Sequence, residues 1–93
     1  MRWSAVEAQI KRDIKRYLDS VGAFWSAVKG GAHSKTGDPD LIACHRGRYY
    51  GIEAKTDIGR QSEWQKLRQA EIEKAGGVYI LARSVEDVKK VIK

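Results

Sequence analysis

The sequence is poor in cysteine, in proline and in long apolar segments. Cys44 is the single cysteine, so no disulfide can form within the chain. In a predicted strand its expected role is that of a buried, unreactive thiol. No segment is long and apolar enough to span a bilayer, and no basic, then apolar, then small-residue leader opens the chain. We therefore expect a cytoplasmic protein without a membrane partner.

What the sequence does have is an excess of basic residues. Lysine and arginine number 18 against 12 aspartate and glutamate, which gives a formal net charge of +6. This excess predicts a polyanionic partner, most simply nucleic acid, with an anionic membrane as the weaker alternative. Because only 93 residues are present and 42% are hydrophobic, we expect one small domain over residues 1–93.

A predicted β-hairpin carries the most informative charges. Residues 41–44 are apolar, residues 49–55 begin with aromatic and β-branched side chains, and a polar stretch with a glycine connects the two runs. If Arg46 and Gly47 form a two-residue loop, Asp40 lies opposite Glu53 on one sheet face, and Lys55 points to the same face.

Two facing carboxylates repel each other, so a compensating partner is expected. Mg²⁺, or Mn²⁺ in its place, prefers such oxygen ligands, and a lysine beside the metal suits phosphodiester hydrolysis. The ordinary alternative is a solvent-facing hairpin with surface charges. The order of Pro-Asp in one strand and Glu-X-Lys in the next favours a site built from Asp40, Glu53 and Lys55.

Apolar residues at helical spacing predict a first helix over residues 4–21. Ser4 and Glu7 match a capping box, yet Glu7 also projects onto the apolar stripe, where a carboxylate needs a partner. From the residues alone, the cap and a metal ligand are equally supported roles for Glu7. The basic residues of this helix are expected on its flank and solvated outer face; they are Lys11, Arg12, Lys15 and Arg16.

A loop over residues 29–37 is rich in glycine, hydroxyl groups and positive charge. Its amides and side chains are candidate DNA phosphate contacts, at Lys29, His33, Ser34 and Lys35. A flexible connector is an equally good explanation. The loop has no Walker-type ending, so no nucleotide cofactor is expected. His45 has no evident ligand partner, so zinc is not expected either.

The second half of the chain predicts a helix, a strand and a short helix. Ser62 and Gln65 match a capping box, and Trp64, Leu67 and Ala75 are expected to pack inward. Residues 78–82 are continuously apolar, which is typical of an inner strand covered on both faces. The last helix begins after Ser84 and is expected to end near residue 92. The helix and the strand form a crossover, so this strand should join the sheet in parallel with its neighbour, which gives an α/β sandwich around a mixed sheet.

These features resemble the PD-(D/E)XK nuclease superfamily, with its αβββαβ(α) core and central mixed sheet flanked by helices. More narrowly, the chain resembles a VRR-NUC domain, the virus-type replication-repair nuclease. The matching residues are Glu7, Gly37-Asp38-Pro39-Asp40-Leu41, Glu53-Ala54-Lys55 and Ser62 to Gln65. The resemblance extends over nearly the whole chain.

The resemblance implies a set of site residues. Glu7, Asp40, Glu53 and the Ala54 carbonyl would be metal ligands. Lys55 would be the catalytic lysine, with Asp40, Glu53 and the supporting Gln65 beside it. It assigns Asp38 no role, because that residue occupies the variable position of the motif.

The resemblance also implies an activity. Stand-alone members, known from bacteria and viruses, resemble homodimeric Mg²⁺- or Mn²⁺-dependent endonucleases that resolve four-way DNA junctions in recombination and repair. A flap or nicking nuclease, or a binding module that does not cleave, is the alternative. Trp3 and Trp25 are the aromatics expected to be partly exposed and available to a dimer interface.

Overall fold

The structure is a computed structural model that describes residues 2–29 and 35–93, with side chains from Ala5 onward. The predicted contacts His33 and Ser34, and the side chain of Trp3, lie outside the described residues. The elements in chain order are α1 (Arg2–Ser20), β1 (Phe24–Ala27), β2 (Leu41–His45), β3 (Arg48–Ala54), α2 (Glu63–Lys74), β4 (Val78–Ala82) and α3 (Val85–Lys89).

The four strands form one mixed sheet in the order β1-β2-β3-β4. The first three strands are antiparallel neighbours, and β4 joins β3 in parallel. This topology requires a crossover between β3 and β4, which α2 provides. The predicted α/β fold, with a crossover that gives a mixed sheet, is confirmed. The prediction of an inner position for residues 78–82 is wrong, because β4 is the last strand of the sheet in the described part of the chain.

The β2–β3 hairpin has the predicted register. Leu41 pairs with Ile52 and Cys44 with Tyr49. The two loop residues, Arg46 and Gly47, have φ angles of 53° and 78°. Two positive φ values in a two-residue loop are typical of a type I′ turn, whose twist matches that of the strands. The turn therefore fixes which residues of β2 and β3 lie opposite each other.

One face of the sheet carries most of the core. Amphipathic α1 packs against it with Ile10, Ile14 and Leu18, and α3 adds Val88 beside Ile92. The first helix begins at Arg2, so Ser4 lies within it and is not its N-cap residue. The predicted capping box between Ser4 and Glu7 is therefore wrong, since a cap must precede the first helical turn.

On the opposite face α2 lies alone, and it has no fully buried residue. Trp64 is 54% exposed and Leu67 44% exposed, so the prediction that they form the packing face is wrong. The side of α2 that faces the sheet is instead more polar and carries Gln65, Arg68 and Ile72. The sequence pattern predicted the wrong packing face because most of the few apolar residues of α2 do not lie on its buried side.

The part of this second face over β1 and β2 leaves apolar side chains at the surface. Phe24, Cys44 and Tyr49 are aligned across three strands, and all three are exposed. The prediction of a buried Cys44 is wrong, because its side chain points to the part of this face that α2 does not cover. Within the described residues, no helix is long and apolar enough to cross a membrane.

Trp25 lies on the other face and is held by its own chain. Its indole Nε1 donates a hydrogen bond of 2.7 Å to Asp19, and the Lys15 ammonium group lies 5.6 Å from the ring centroid. It is only partly exposed and packs against the core cluster. Intramolecular packing therefore accounts for this aromatic without a partner chain.

Candidate active site

Asp40 stands at the point where the loop enters β2. Its backbone carbonyl accepts the Val28 N–H at 2.8 Å, and its side-chain Oδ2 accepts the Ala54 N–H at 2.8 Å. Extending the hairpin register by one residue places Asp40 opposite Glu53. Backbone contacts on both sides thus fix this carboxylate at the end of the hairpin, while Oδ1 is directed to other partners.

Glu53 is the most unusual carboxylate of the described residues, because its residue is only 5% exposed. Its Oε2 accepts a 2.9 Å hydrogen bond from Gln65 Nε2, and the Lys55 ammonium group lies 3.9 Å from the same oxygen. Its Oε1 is buried and has no hydrogen-bond partner within the described residues. A buried acceptor without a partner is costly, so this oxygen is poised for a ligand.

The pKa of Glu53 is raised from 4.5 to about 8. Burial is the main cause, because it disfavours the charged form, and the negative charge of Asp40 adds to it. The charge of Glu7 acts in the same direction, while Lys55 and Lys11 oppose the rise. The carboxylates therefore lie close enough to repel one another in the metal-free protein, as the sequence predicted for Asp40 and Glu53.

Gln65 belongs to both the helix cap and the site. Its Oε1 accepts the Ser62 N–H at 2.8 Å, and the Ser62 hydroxyl accepts the Gln65 N–H at 3.1 Å, which completes a capping box. The amide nitrogen of the same side chain binds Glu53. The cap and the site role are therefore compatible, since each uses a different end of the carboxamide.

Glu7 and Lys11 bring α1 into the site. The Lys11 ammonium group lies 3.9 Å from Glu7 Oε1, one helical turn away, and 3.5 Å from Asp40 Oδ1. Lys11 was expected on the flank or the solvated outer face of the helix, and its contact with Asp40 shows that this prediction is wrong. The available signal was its spacing of four residues from Glu7, which makes the two side chains neighbours on one helix face.

The donor set suits a hard divalent cation. Asp40 and Glu53 offer carboxylate oxygens, and Mg²⁺ often binds proteins through only one or two carboxylates together with water. The unpartnered Glu53 Oε1 is the observation that fits a missing ligand. No three His, Cys, Asp or Glu side chains of the described ranges lie close enough to hold a metal as they stand. The metal therefore stays a prediction.

Gly37 is the first residue of the Gly-X-Pro-Asp motif, and its surroundings explain why the position is a glycine. Its φ is +88°, and a Cβ there would lie 2.4 Å from the carbonyl carbon and oxygen of Trp64. Only glycine permits both the backbone angle and this close approach. The motif loop is thereby packed against the first turn of α2, which also carries Gln65. The sequence shows this glycine as part of the motif but gives no sign of its physical role.

Asp38, which the sequence analysis left without a role, supports the same loop. Its Oδ2 accepts the Lys35 N–H at 2.8 Å, and its Oδ1 lies 3.6 Å from Arg68 Nε on α2. Lys35 and Lys29 are both exposed, on either side of the segment that the structure does not describe. Their role as DNA contacts stays a prediction.

Arg83 is a second residue that sequence reasoning missed. Its guanidinium group donates to the carbonyl oxygens of Thr56 and Gly59, which close the turn after Lys55. A Cβ at Gly59 would lie 3.2 Å from Lys55 Cδ, so the turn packs directly along the lysine side chain. Arg83 thereby limits the positions that the Lys55 ammonium group can take.

The fold and the positions of the motif residues in it match a known fold class. A mixed αβββαβ sandwich, with Pro-Asp and Glu-X-Lys brought together at the end of its central hairpin, has the arrangement of PD-(D/E)XK nucleases. No protein-family model matches the sequence, and no curated protein matches it.

Two solved structures share the fold. One is described as a VRR_NUC domain; it has a TM-score of 0.75 and 20% sequence identity, over 92% of each chain. The other is Hjc of Archaeoglobus fulgidus, a Holliday junction resolvase from an archaeal hyperthermophile, with a TM-score of 0.61 and 22% identity. That match covers 81% of this chain and 65% of the Hjc chain. The protein therefore has a VRR-NUC-like nuclease fold, as the sequence predicted.

Proposed function

We propose that the protein is a metal-dependent, structure-selective DNA endonuclease that acts as a homodimer on four-way junctions. The observation that carries the proposal is the convergence of Asp40, Lys55 and the buried Glu53 on one end of the hairpin. A non-catalytic binding module has no need to bury a carboxylate with an unpartnered oxygen. The fold shared with a Holliday junction resolvase supports the choice of substrate.

In this proposal Asp40, Glu53, Glu7 and the Ala54 carbonyl would hold Mg²⁺ or Mn²⁺. When bound, such an ion activates water and stabilises negative charge on the phosphate. The protein contributes the rest. Gln65 fixes one oxygen of Glu53. Arg83 stabilises the turn that packs along Lys55. The Lys55 ammonium group either stabilises the negative charge that develops on the phosphate or orients the attacking water.

The exposed lysines fit a DNA-binding role because they lie in the loop that leads into the Gly-X-Pro-Asp motif. Lys29 and Lys35 are exposed at its two described ends, and the net charge of +6 favours a polyanion. Contacts of this kind position a duplex without reading its sequence. This agrees with a nuclease that selects a branched shape.

A cleavage assay tests the activity. Labelled four-way junction, flap, nicked and linear duplex DNA are incubated with the protein in Mg²⁺, Mn²⁺ or EDTA. We expect junction cleavage in either metal, none in EDTA, and none for Asp40→Asn. The control is Glu86→Gln, which removes an exposed carboxylate on α3. Junction binding without cleavage in either metal would instead identify a non-catalytic module, and preferred flap or nicked cutting would redirect the substrate assignment.

For the dimer, the support is the exposed apolar surface rather than Trp25. Phe24 is 67% exposed and Tyr49 44% exposed on the part of the sheet face that α2 leaves uncovered, and Trp64 is 54% exposed on α2. Large aromatics are enriched at the cores of protein interfaces. A two-fold dimer would present two sites to the two strands that a resolvase must cut.

Sedimentation equilibrium tests this assembly at micromolar protein. We expect the mass of a dimer, and a shift to monomer in Phe24→Ser or Trp64→Ser but not in the control Val91→Ser, which removes a different exposed apolar side chain. A plasmid with an extruded cruciform tests coupling, since paired cuts give linear product directly. A monomer mass combined with accumulating nicked circles would refute the dimer.

A further inference from the structure

Lys11 lies between two carboxylates that come from different parts of the chain. Glu7 is its neighbour on α1, whereas Asp40 begins the hairpin. An ordinary surface pair on a helix would account for the contact with Glu7 alone. The contact with Asp40 is long-range in sequence and joins α1 to the candidate metal site. Lys11 itself is only about one-third exposed, with a side-chain value of 33%.

We propose that Lys11 is an internal counterion of the metal site: its ammonium group occupies the space between Glu7 and Asp40, and a divalent cation binds by displacing it. The inference rests on the proposed function, because it takes the site to be a metal site. It adds a competitor that lowers the affinity for metal when DNA is absent.

The charges of the site support this assignment. The charges of Asp40 and Glu7 both act on Glu53, and those of Lys55 and Lys11 oppose them. Lys55 lies against Glu53, whereas Lys11 lies against the other two. Each lysine thus has its own acidic partners. A divalent cation between Glu7 and Asp40 would face the positive charge of Lys11 at short range, so the two cannot share that position.

The distances indicate that Lys11 can be displaced. The ammonium nitrogen lies 3.5 Å and 3.9 Å from the two carboxylate oxygens, beyond the range of about 2.7–2.9 Å for a charge-assisted hydrogen bond. Partly exposed ion pairs of this kind are weak. The long lysine side chain can therefore rotate toward solvent while its backbone stays in the helix.

The same contacts explain why the carboxylates do not already form a metal-binding cluster. Oxygen atoms around Mg²⁺ lie at about 2.1 Å from the ion, much closer than they can approach an ammonium nitrogen. With the Lys11 ammonium group between them, Glu7 and Asp40 keep the longer spacing of an ion pair, 3.9 Å and 3.5 Å from its nitrogen. This agrees with the absence of any three-residue metal cluster within residues 2–29 and 35–93.

Metal binding without DNA provides the test, with Mn²⁺ as the probe. Binding is measured by calorimetry and by loss of the free-ion electron paramagnetic resonance signal. Lys11→Met removes the charge and keeps the length of the side chain. Lys11→Arg keeps the charge. Lys90→Met removes a charge from an exposed lysine after α3, so it corrects for the change in net charge.

We expect Lys11→Met to bind Mn²⁺ about fivefold or more tightly than wild type, which is the lower end of common coupling effects between sites. Lys11→Arg should bind like wild type, and Lys90→Met should change affinity by less than twofold. Lys11→Met should also melt at a lower temperature than Lys90→Met in EDTA and regain stability when Mn²⁺ is added.

The outcomes separate the inference from the proposed function. If wild type binds Mn²⁺ and Lys11→Met binds it equally or more weakly, Lys11 is not a competitor and only the inference fails. If neither protein binds Mn²⁺, the metal site fails and the inference fails with it. Circular dichroism of both variants checks that the helix is intact, and Lys11→Gln, which also removes the charge, is measured in the same way if Lys11→Met does not fold.

Discussion

Replacing Glu53 by glutamine should make the metal-free protein more stable at neutral pH. The pKa of this carboxyl is raised from 4.5 to about 8 by burial and by the charge of Asp40. A raised pKa means that folding favours the protonated form. The contribution of Glu53 to stability is therefore complete below pH 4.5 and is lost as the pH rises through 8. Glutamine resembles the protonated acid and can still accept the bond from Gln65.

The size of the effect follows from the pKa. Each tenfold change in proton affinity corresponds to about 1.4 kcal/mol. Between pH 4.5 and pH 7 the wild-type protein should lose about 3 kcal/mol through this group, and Glu53→Gln should lose none of that amount. Because whole domains are stable by only about 5–15 kcal/mol, the difference is large enough to measure.

Urea unfolding in EDTA, followed by tryptophan fluorescence at several pH values from 4.5 to 8, measures it. The free energies of Glu53→Gln and wild type should be similar at the acid end and diverge steadily toward the alkaline end, with the variant more stable. Glu63→Gln neutralises an exposed carboxylate on α2 and serves as the control. A stability difference that is constant over this pH range would refute the reasoning.

Three further predictions concern activity and packing. Lys55→Ala should reduce single-turnover cleavage by about a hundredfold or more with little change in DNA affinity; equal losses in binding and rate would make Lys55 only a phosphate contact. Gly37→Ala should lower the free energy of unfolding by more than about 2 kcal/mol, because its Cβ collides with the Trp64 backbone, whereas Gly76→Ala, at a positive φ of 95° but in open space, should cost less; equal losses in urea unfolding would contradict the close contact. Arg83→Met should lower the cleavage rate more than DNA affinity by loosening the turn beside Lys55, and unchanged single-turnover rates would exclude that role.

The parts of the fold that follow local rules were predictable. The two-residue turn at Arg46 and Gly47 fixed the hairpin register, and with it the opposition of Asp40 and Glu53, because strand residues alternate between faces. The capping box at Ser62 and Gln65 was also predictable, because it involves residues only three positions apart.

What could not be predicted depends on which elements cover which face. Cys44 and Trp64 read as buried residues, yet α2 covers only part of its face of the sheet and turns its polar side inward. The site role of Lys11 depends on the approach of α1 to the hairpin, which no local pattern encodes. The close contact of Gly37 with the Trp64 backbone could be recognised only from the position of α2.

The hairpin turn has a consequence for how the sequence can vary. Arg46 and Gly47 lie at the end of the hairpin opposite to Asp40 and Glu53, and they contact neither carboxylate side chain through any described hydrogen bond or ion pair. The number of residues in the turn nevertheless sets which residues of β2 and β3 pair with each other. Inserting or deleting one residue there would shift the register of one strand by one residue. Asp40 and Glu53 would then point to opposite faces of the sheet. The turn should therefore accept changes of residue type far more readily than changes of length.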